Sequence, residues 1–367
     1  MTPPTRIDLA GYFLRLGAAG FGGPIVLVGR MHRDLVEERA WVAEAEFLEG
    51  VALAQLSPGP LAAQLCFYLG WLRGGVAGAA LSGLAFVLPS FLMVVGLGWA
   101  YTYYGTLPWM QAVFYGVGAA VIGLITRSAV RLSGKTVGRD WLLRGIFLVL
   151  AALTAFTARE NVWLILLSGV TVLLVRARPR WLGGVGTLAE AGSLLLLLQI
   201  FGFFAYAGSF VFGSGLAIVP FLHGGVVLER QWLTERQFLD AVAVALITPG
   251  PIVITTGFIG YLVAGLPGAC VAAAATFLPC FVLTVIPAPY FHRYAARPWL
   301  TAMVQGITAA ATGAIVGAVI VLARQSLVDW LTVVLALGAY ALTWLPRKLP
   351  EPLIILAAAL VGFVARG

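Results

Sequence analysis

Two Pro-Gly-Pro breaks, Pro58-Gly59-Pro60 and Pro249-Gly250-Pro251, lie 191 residues apart, each inside hydrophobic sequence. Proline removes a helical hydrogen bond and suits the first position of a new helix, while glycine opens backbone conformations closed to other residues. Each break therefore stops one helix and starts another. The new helix offers unpaired N–H groups at its positive dipole end, from Leu61 and Ala62 in the first copy and from Ile252 and Val253 in the second. Such an end binds anions. Ser57 and Thr248, just ahead of the breaks, can add hydroxyl donors. A further break, Phe21-Gly22-Gly23-Pro24, exposes backbone N–H groups, and its counterpart Phe212-Gly213-Ser214-Gly215 loses the proline but gains a hydroxyl.

Other polar positions carry weaker signals. Arg15 sits inside an apolar run, where an arginine costs about 2.5 to 3.5 kcal/mol on insertion scales unless a carboxylate, a cavity or a substrate receives it. It is a candidate anion ligand, with snorkelling to the interface as the plain alternative. Glu44 with Glu235, and Glu49 with Asp240, are acidic in both copies; they suit helix starts and could also carry coupling protons. Ser133-Gly134-Lys135-Thr136 resembles the end of a phosphate-binding loop, but Ala129 replaces the required glycine and no strand precedes it. His32, His223 and His292 are scattered, and no metal-ligand or hydrolase spacing is present. Neither an enzyme nor a resident cofactor is expected. Cys66, Cys270 and Cys280 lie in apolar sequence without CxxC spacing and read as free thiols.

Elements that could position these breaks follow from composition. The chain is 61% hydrophobic and 10% charged, with a mean hydropathy of +0.97, which indicates an integral membrane protein in contact with lipid. The basic residues behind the net charge of +8 fall in short connections, so topology explains them better than nucleic acid. Long apolar runs begin near Leu9, Val76, Trp109, Trp141, Asn161, Gly192, Pro267, Trp299, Leu327 and Glu351. None alternates with period two, so an all-α bundle is expected rather than a barrel. Met1 to Asp8 precedes a run without a cleavage signature, and no cleaved signal peptide is expected.

The breaks belong to a duplication. From Val36 to Pro60 against Val227 to Pro251, 13 of 25 positions are identical, including Glu38-Arg39, Trp41, Glu44 and Phe47-Leu48. Pro108-Trp109, Gly116 and Gly123 likewise match Pro298-Trp299, Gly306 and Gly313. Two halves, 1–184 and 185–367, are expected, joined through the basic stretch around Arg176 to Gly184. Glu44 to Leu56 is about 20 Å long as a helix, too short to span. A re-entrant hairpin broken at Pro-Gly-Pro would leave about five crossings per half and would invert the second half. With an external N-terminus, this arrangement puts 16 basic residues on the cytoplasmic side and 6 outside, whereas six crossings split them nearly evenly. Inverted repeats are the expectation, with the two positive helix ends meeting near the midplane. Gly74 with Gly78, and Gly313 with Gly317, would permit a homodimer.

The combination of Gly20-Phe21-Gly22-Gly23-Pro24, Gln55-Leu56-Ser57-Pro58-Gly59-Pro60 and a second Pro-Gly-Pro half resembles the chromate ion transporter family in its fused two-domain form. The resemblance covers nearly the whole chain. It implies export of chromate, or of a sulfate-like oxyanion, from the bacterial cytoplasm across the cell (plasma) membrane, which is the inner membrane in a Gram-negative cell. It also carries function onto Phe21 to Pro24, Pro58 to Pro60 and Pro249 to Pro251. Leu246 replaces the Gln55 of the first half and Gly215 replaces Pro24, so the halves need not contribute equally. With no ATP-hydrolysing site, an ion gradient of unassigned kind would drive export. A passive anion channel, or an intramembrane enzyme or lipid-binding scaffold, is the alternative.

Overall fold

A computed structural model describes residues 4–21, 24–105, 107–138, 140–157, 162–176, 194–209, 212–213, 218–291, 298–344 and 351–366. Among them the chain is helical apart from two two-residue strands. The first half comprises α1 (Arg6–Ala19), α2 (Pro24–His32), α3 (Glu44–Leu56), α4 (Leu61–Tyr104), α5 (Pro108–Thr136), α6 (Trp141–Thr157) and α7 (Val162–Arg176). The second comprises α8 (Leu194–Gly208), α9 (Ile218–His223), α10 (Glu235–Ile247), α11 (Thr255–Val285), α12 (Pro298–Ser326), α13 (Trp330–Leu342) and α14 (Glu351–Arg366). Four segments are long and apolar enough to cross a membrane: Leu61–Tyr104, Pro108–Gly134, Ile252–Tyr290 and Gln305–Arg324. Many large apolar side chains, among them Leu84, Leu92, Phe156 and Leu360, face outward. Lipid is the solvent that suits such a surface.

The helix starts are written locally. Thr5 and Asp8 cap α1 reciprocally, and Thr234 with Gln237 does the same for α10. In the first half Ala43 stands at the Thr234 position, and only the Glu46 carboxylate remains to accept from the Ala43 N–H, at 3.1 Å.

The chain reverses several times within each half. A straight continuation from α1 would carry Asp34 about 33 Å beyond Tyr12, yet the Tyr12 hydroxyl donates to Asp34 at 3.2 Å. So α2 doubles back along α1. The run near Leu9, expected as a crossing, is a helix of 14 residues, about 21 Å long, on one limb of this hairpin. In the second half Phe221 stacks on Phe203 and Arg230 lies over the same ring, so α9 doubles back along α8. A wide turn follows in each half, Arg33–Glu38 and Gly224–Glu229, and ends in a left-handed residue, Ala40 (φ 49°) or Gln231 (φ 53°). Strain at the same place in both copies means that the turn itself was duplicated.

The Pro-Gly-Pro segments make the next reversal. Arg73, late in the first arm of α4, donates to Glu46 at 2.9 Å and to the Trp41 carbonyl at 2.8 Å, while Gly50 of α3 lies against Tyr68 and Leu65. Hence α3 and residues 61–74 run antiparallel, with Pro58-Gly59-Pro60 at the tip. Gly75 (φ 60°, ψ −150°) and Gly265 (φ 59°, ψ −152°) then fold α4 and α11 back on themselves. Neighbouring glycines allow the limbs to touch: a Cβ on Gly70 would sit 2.5 Å from the Gly78 carbonyl oxygen, and one on Gly260 would sit 2.3 Å from that of Gly268.

Packing between the halves is exchanged rather than side by side. A Cβ on Gly116 of α5 would collide with the Ala358 carbonyl of α14, and Gly306 and Gly313 of α12 meet the Ser168 and Phe147 carbonyls of α7 and α6 in the same way. The glycine pairs expected to offer a dimer surface are thus occupied internally. Gly74 abuts Arg6, Gly78 abuts Gly70, and Gly313 and Gly317 abut Phe147 and Ala151.

Candidate functional site

Four chain reversals meet in two crossed pairs. Gly59 and Pro60 form a parallel bridge with Phe212 and Gly213 of the other half, and the Gly250 N–H donates to the Gly20 carbonyl at 2.9 Å. Each Pro-Gly-Pro tip thus meets the glycine-rich tip of the opposite half. Behind each tip stands the long limb of the opposite half: a Cβ on Gly59 would lie 2.6 Å from Cys280 Sγ, and one on Gly250 would lie 1.9 Å from Ser90 Oγ. Both glycines hold positive φ, 143° and 97°. Only glycine fits both the backbone and the space.

The helix starts appear where the sequence predicts, with one difference between copies. Pro60 is followed directly by α4, so Leu61 and Ala62 supply its free N–H groups. Pro251 is followed by one tighter turn, Ile252–Ile254, before α11 begins at Thr255. Pro249, Gly250, Pro251, Ile252 and Val253 are all buried, as are Gly59, Pro60, Leu61 and Ala62, but Ser57 and Pro58 remain half-buried.

Several expected donors are engaged elsewhere. The Ser57 hydroxyl donates to the Leu283 carbonyl at 3.2 Å, and the Thr248 hydroxyl donates back to Ala245 at 3.1 Å. A hydroxyl has one proton to give, and the exposed carbonyls of a helix end claim it. Arg15 is not brought to the tips. Leu9, Tyr12, Phe13, Leu16 and Gly17 form the buried face of α1, and the helical period turns Leu14 and Arg15 outward. Gly22, Gly23 and Ser214 lie outside the described residues, and Gly213 enters through its backbone bridge alone.

Two features escaped the sequence reading. Gln64 is fully buried and its Nε2 donates to the Ser57 and Pro58 carbonyls at 3.0 and 2.9 Å, clamping the first tip. A glutamine in an apolar run four residues past the break was the available signal. The histidines are also not scattered: His32 pairs with Glu44 at 2.8 Å and His223 with Glu235 at 2.6 Å, at matching positions of the two halves. Each ring also packs edge-on against Phe47 or Phe238. Counting the 191-residue offset for His as well as for Pro would have found them. His292 lies outside the described residues. Ser133 to Thr136 form the last turn of α5, which no phosphate loop could be.

Among the described residues no group of three His, Cys, Asp or Glu side chains could hold a metal ion. A groove of about 390 Å³ along α6 and α7, lined by Trp141, Ile146, Leu150, Leu164 and others, shares no residue with the tips.

Comparison with known proteins gives these tips a context. The sequence profile described as "Chromate transporter" matches residues 7–173 and again 198–363. A probable chromate transport protein of Synechococcus elongatus is 62% identical, over 97% of this chain and 95% of its own length. The chromate transport protein of Cupriavidus metallidurans is 60% identical, over 99% and 94%. An uncharacterized transporter of Bacillus subtilis, YwrA, is 25% identical and aligns 96% of its length with 46% of this chain, about one half. No solved structure matches at a significant level. Two matched segments and full-length relatives leave one conclusion: this all-helical, multi-pass membrane chain belongs to the chromate transporter family.

Proposed function

We propose that the protein is a secondary transporter that exports chromate, or a related divalent oxyanion such as sulfate, from the cytoplasm. The relatives named for chromate transport support the substrate. The observation that carries the site is the crossed meeting of tips, Gly59 with Phe212 and Gly250 with Gly20. It sets each Pro-Gly-Pro helix start against a glycine-rich turn of the opposite half. The first helix start is the more open, and there the anion would receive the N–H groups of Leu61 and Ala62, beside the Gly213 backbone that bridges Pro60. Ser57, Pro58, Gly59 and Pro60 would form its near wall, and Thr248 to Ile252, beside Gly20, would form the far one. A dianion is costly to dehydrate, and several N–H bonds replace its water without a permanent ion pair that would hinder release.

The halves, 1–184 and 185–367, are read as inverted repeats whose Pro-Gly-Pro hairpins are re-entrant. Support comes from the long limb of α4. It starts at Gly75, beside the base of the first hairpin, and Gly98, about 35 Å along, packs against Tyr261, at the base of the second. Hairpins based at opposite ends of one spanning helix enter from opposite faces. Arg6 lies beside Gly74, and Arg30, Arg33, Arg39 and Arg73 lie around Asp34, Trp41 and Glu46 at the first base. Arg230 and Arg236 lie at the base of the second. The positive-inside rule would make the first face, the one that carries Arg6, cytoplasmic.

The test is chromate flux in liposomes containing the purified protein. Substitution of Pro58 or Gly59 that leaves folding intact should abolish flux, and unchanged flux would refute the site. A thermal shift across chromate, sulfate, molybdate and phosphate reads the substrate class, and indifference to all four would remove it.

A further inference from the structure

Asp240 lies on α10 and is 3% exposed. Its carboxylate receives one hydrogen bond from a described residue, from the Tyr101 hydroxyl at 2.6 Å. Tyr101 belongs to the long limb of α4, so this bond joins the two halves. Its ring is flanked edge-on by Phe114 and Phe258, at 5.6 and 5.7 Å, which leaves the pair in aromatic surroundings.

An ionised carboxylate has about four acceptor positions, and burial with one of them filled is unfavourable. No cation among the described residues forms an ion pair with Asp240. Arg236, one turn earlier on α10, turns its Nη1 to the Gln111 side chain of α5 at 3.2 Å. Groups on the other packed elements are engaged with different partners. His223 of α9 holds Glu235, Arg366 of α14 holds Asp329 and lies over the ring of Tyr115 of α5, and Tyr261 of α11 packs against Gly98. A sodium ion would need several oxygen ligands, and here one acid and one phenol stand together without a further His, Cys, Asp or Glu cluster. A proton needs only the carboxylate. Acids buried at membrane depth are expensive and are used as proton relays.

We propose that Asp240 binds and releases a proton in the transport cycle, with Tyr101 as its partner across the halves, so that chromate movement is coupled to the proton gradient. Glu49 holds the matching position in the first half but is only half-buried, so of this matched pair Asp240 is the sealed acid. This inference rests on the transport reading above, and two flux modes separate them. In proteoliposomes, chromate exchange at equal concentrations tests transport itself, and accumulation driven by an imposed pH gradient tests coupling.

For Asp240→Asn, exchange should stay within about twofold of wild type while gradient-driven accumulation falls at least about tenfold, and Asp240→Glu should restore coupling. Accumulation by Asp240→Asn at the wild-type level would overturn the proposal, as would equal loss of exchange and accumulation in a variant with unchanged thermal stability. Absence of wild-type exchange would instead sink the transport reading. A measurement on the unmodified protein avoids dependence on the variants. Dicyclohexylcarbodiimide attacks protonated carboxyls in apolar surroundings, so peptide mass spectrometry should find its adduct on Asp240 at neutral pH and less of it at alkaline pH. No adduct at either pH would overturn the assignment.

Discussion

The two Pro-Gly-Pro hairpins share a motif but not an environment. In the first, Ser57 and Pro58 are half-buried, Gln64 clamps their carbonyls, and Arg73 ties the base to Glu46. In the second, residues 248–251 are buried, Thr248 bonds back onto its own helix, a tighter turn follows the break, and Asp240 is sealed inside. The first is held by polar side chains around an open tip; the second is held by packing. A duplication can thus keep its backbone device while the surroundings of the two copies diverge, one tip open and the other packed.

Glycine replacement at the tips should have the largest effect. A Cβ at Gly250 would stand 1.9 Å from Ser90 Oγ and 3.1 Å from Ser90 Cβ, with φ at 97°. Gly250→Ala should cost about 3 kcal/mol or more through overpacking and backbone strain. At Gly59 the nearest atoms, Cys280 Sγ at 2.6 Å and the Gln64 amide at 2.9 Å, stand farther off and all belong to side-chain ends, so Gly59→Ala should cost less stability while still losing flux. Thermal unfolding in detergent checks the order, and Cys280→Ala should recover part of the Gly59→Ala loss. Equal costs at both tips would break the contrast.

The base of the first hairpin comes next. Arg73→Ala removes bonds to Glu46 and to the Trp41 carbonyl and should cost about 2 kcal/mol. The matching position in the second half is Val263, and Val263→Ala should cost about 1 kcal/mol, with no dependence on salt. Melting curves at low and high ionic strength distinguish the two.

Within the first tip, Gln64→Leu leaves the Ser57 and Pro58 carbonyls without their donor, at a cost of about 1 to 3 kcal/mol. Thr255→Val, in the first turn of α11, loses a single bond to the Ile252 carbonyl and should cost about 1 kcal/mol. The Gln64 variant should also lose chromate-dependent stabilisation, which the Thr255 variant should keep. Smallest is the cation–π contact repeated at both bases. Arg39 lies 4.7 Å from the Trp41 ring centre, and Arg230 lies 4.4 Å from that of Phe203. Glutamine at either position should cost about 0.5 to 1 kcal/mol, with flux nearly intact.

Sequence by itself determined the membrane setting, the helical class, the duplication and the helix starts after each break. Hydropathy, helical period and the chemistry of proline and glycine act over a few residues, so they are readable without a fold. Its length argument also anticipated that α3 cannot span alone. Tertiary structure decided what lies more than one helix away. The return of α2 along α1 depends on Asp34 reaching Tyr12 across 22 residues. The capture of the Ser57 hydroxyl depends on Leu283, from the other half. Outward rotation keeps Arg15 away from the tips, because Leu9, Ala10, Tyr12, Phe13, Leu16 and Gly17 make up the buried face of α1. Partner choice across halves, Gly59 with Phe212 and Asp240 with Tyr101, is set by how two similar folds interlock, and no local pattern along the chain encodes that contact.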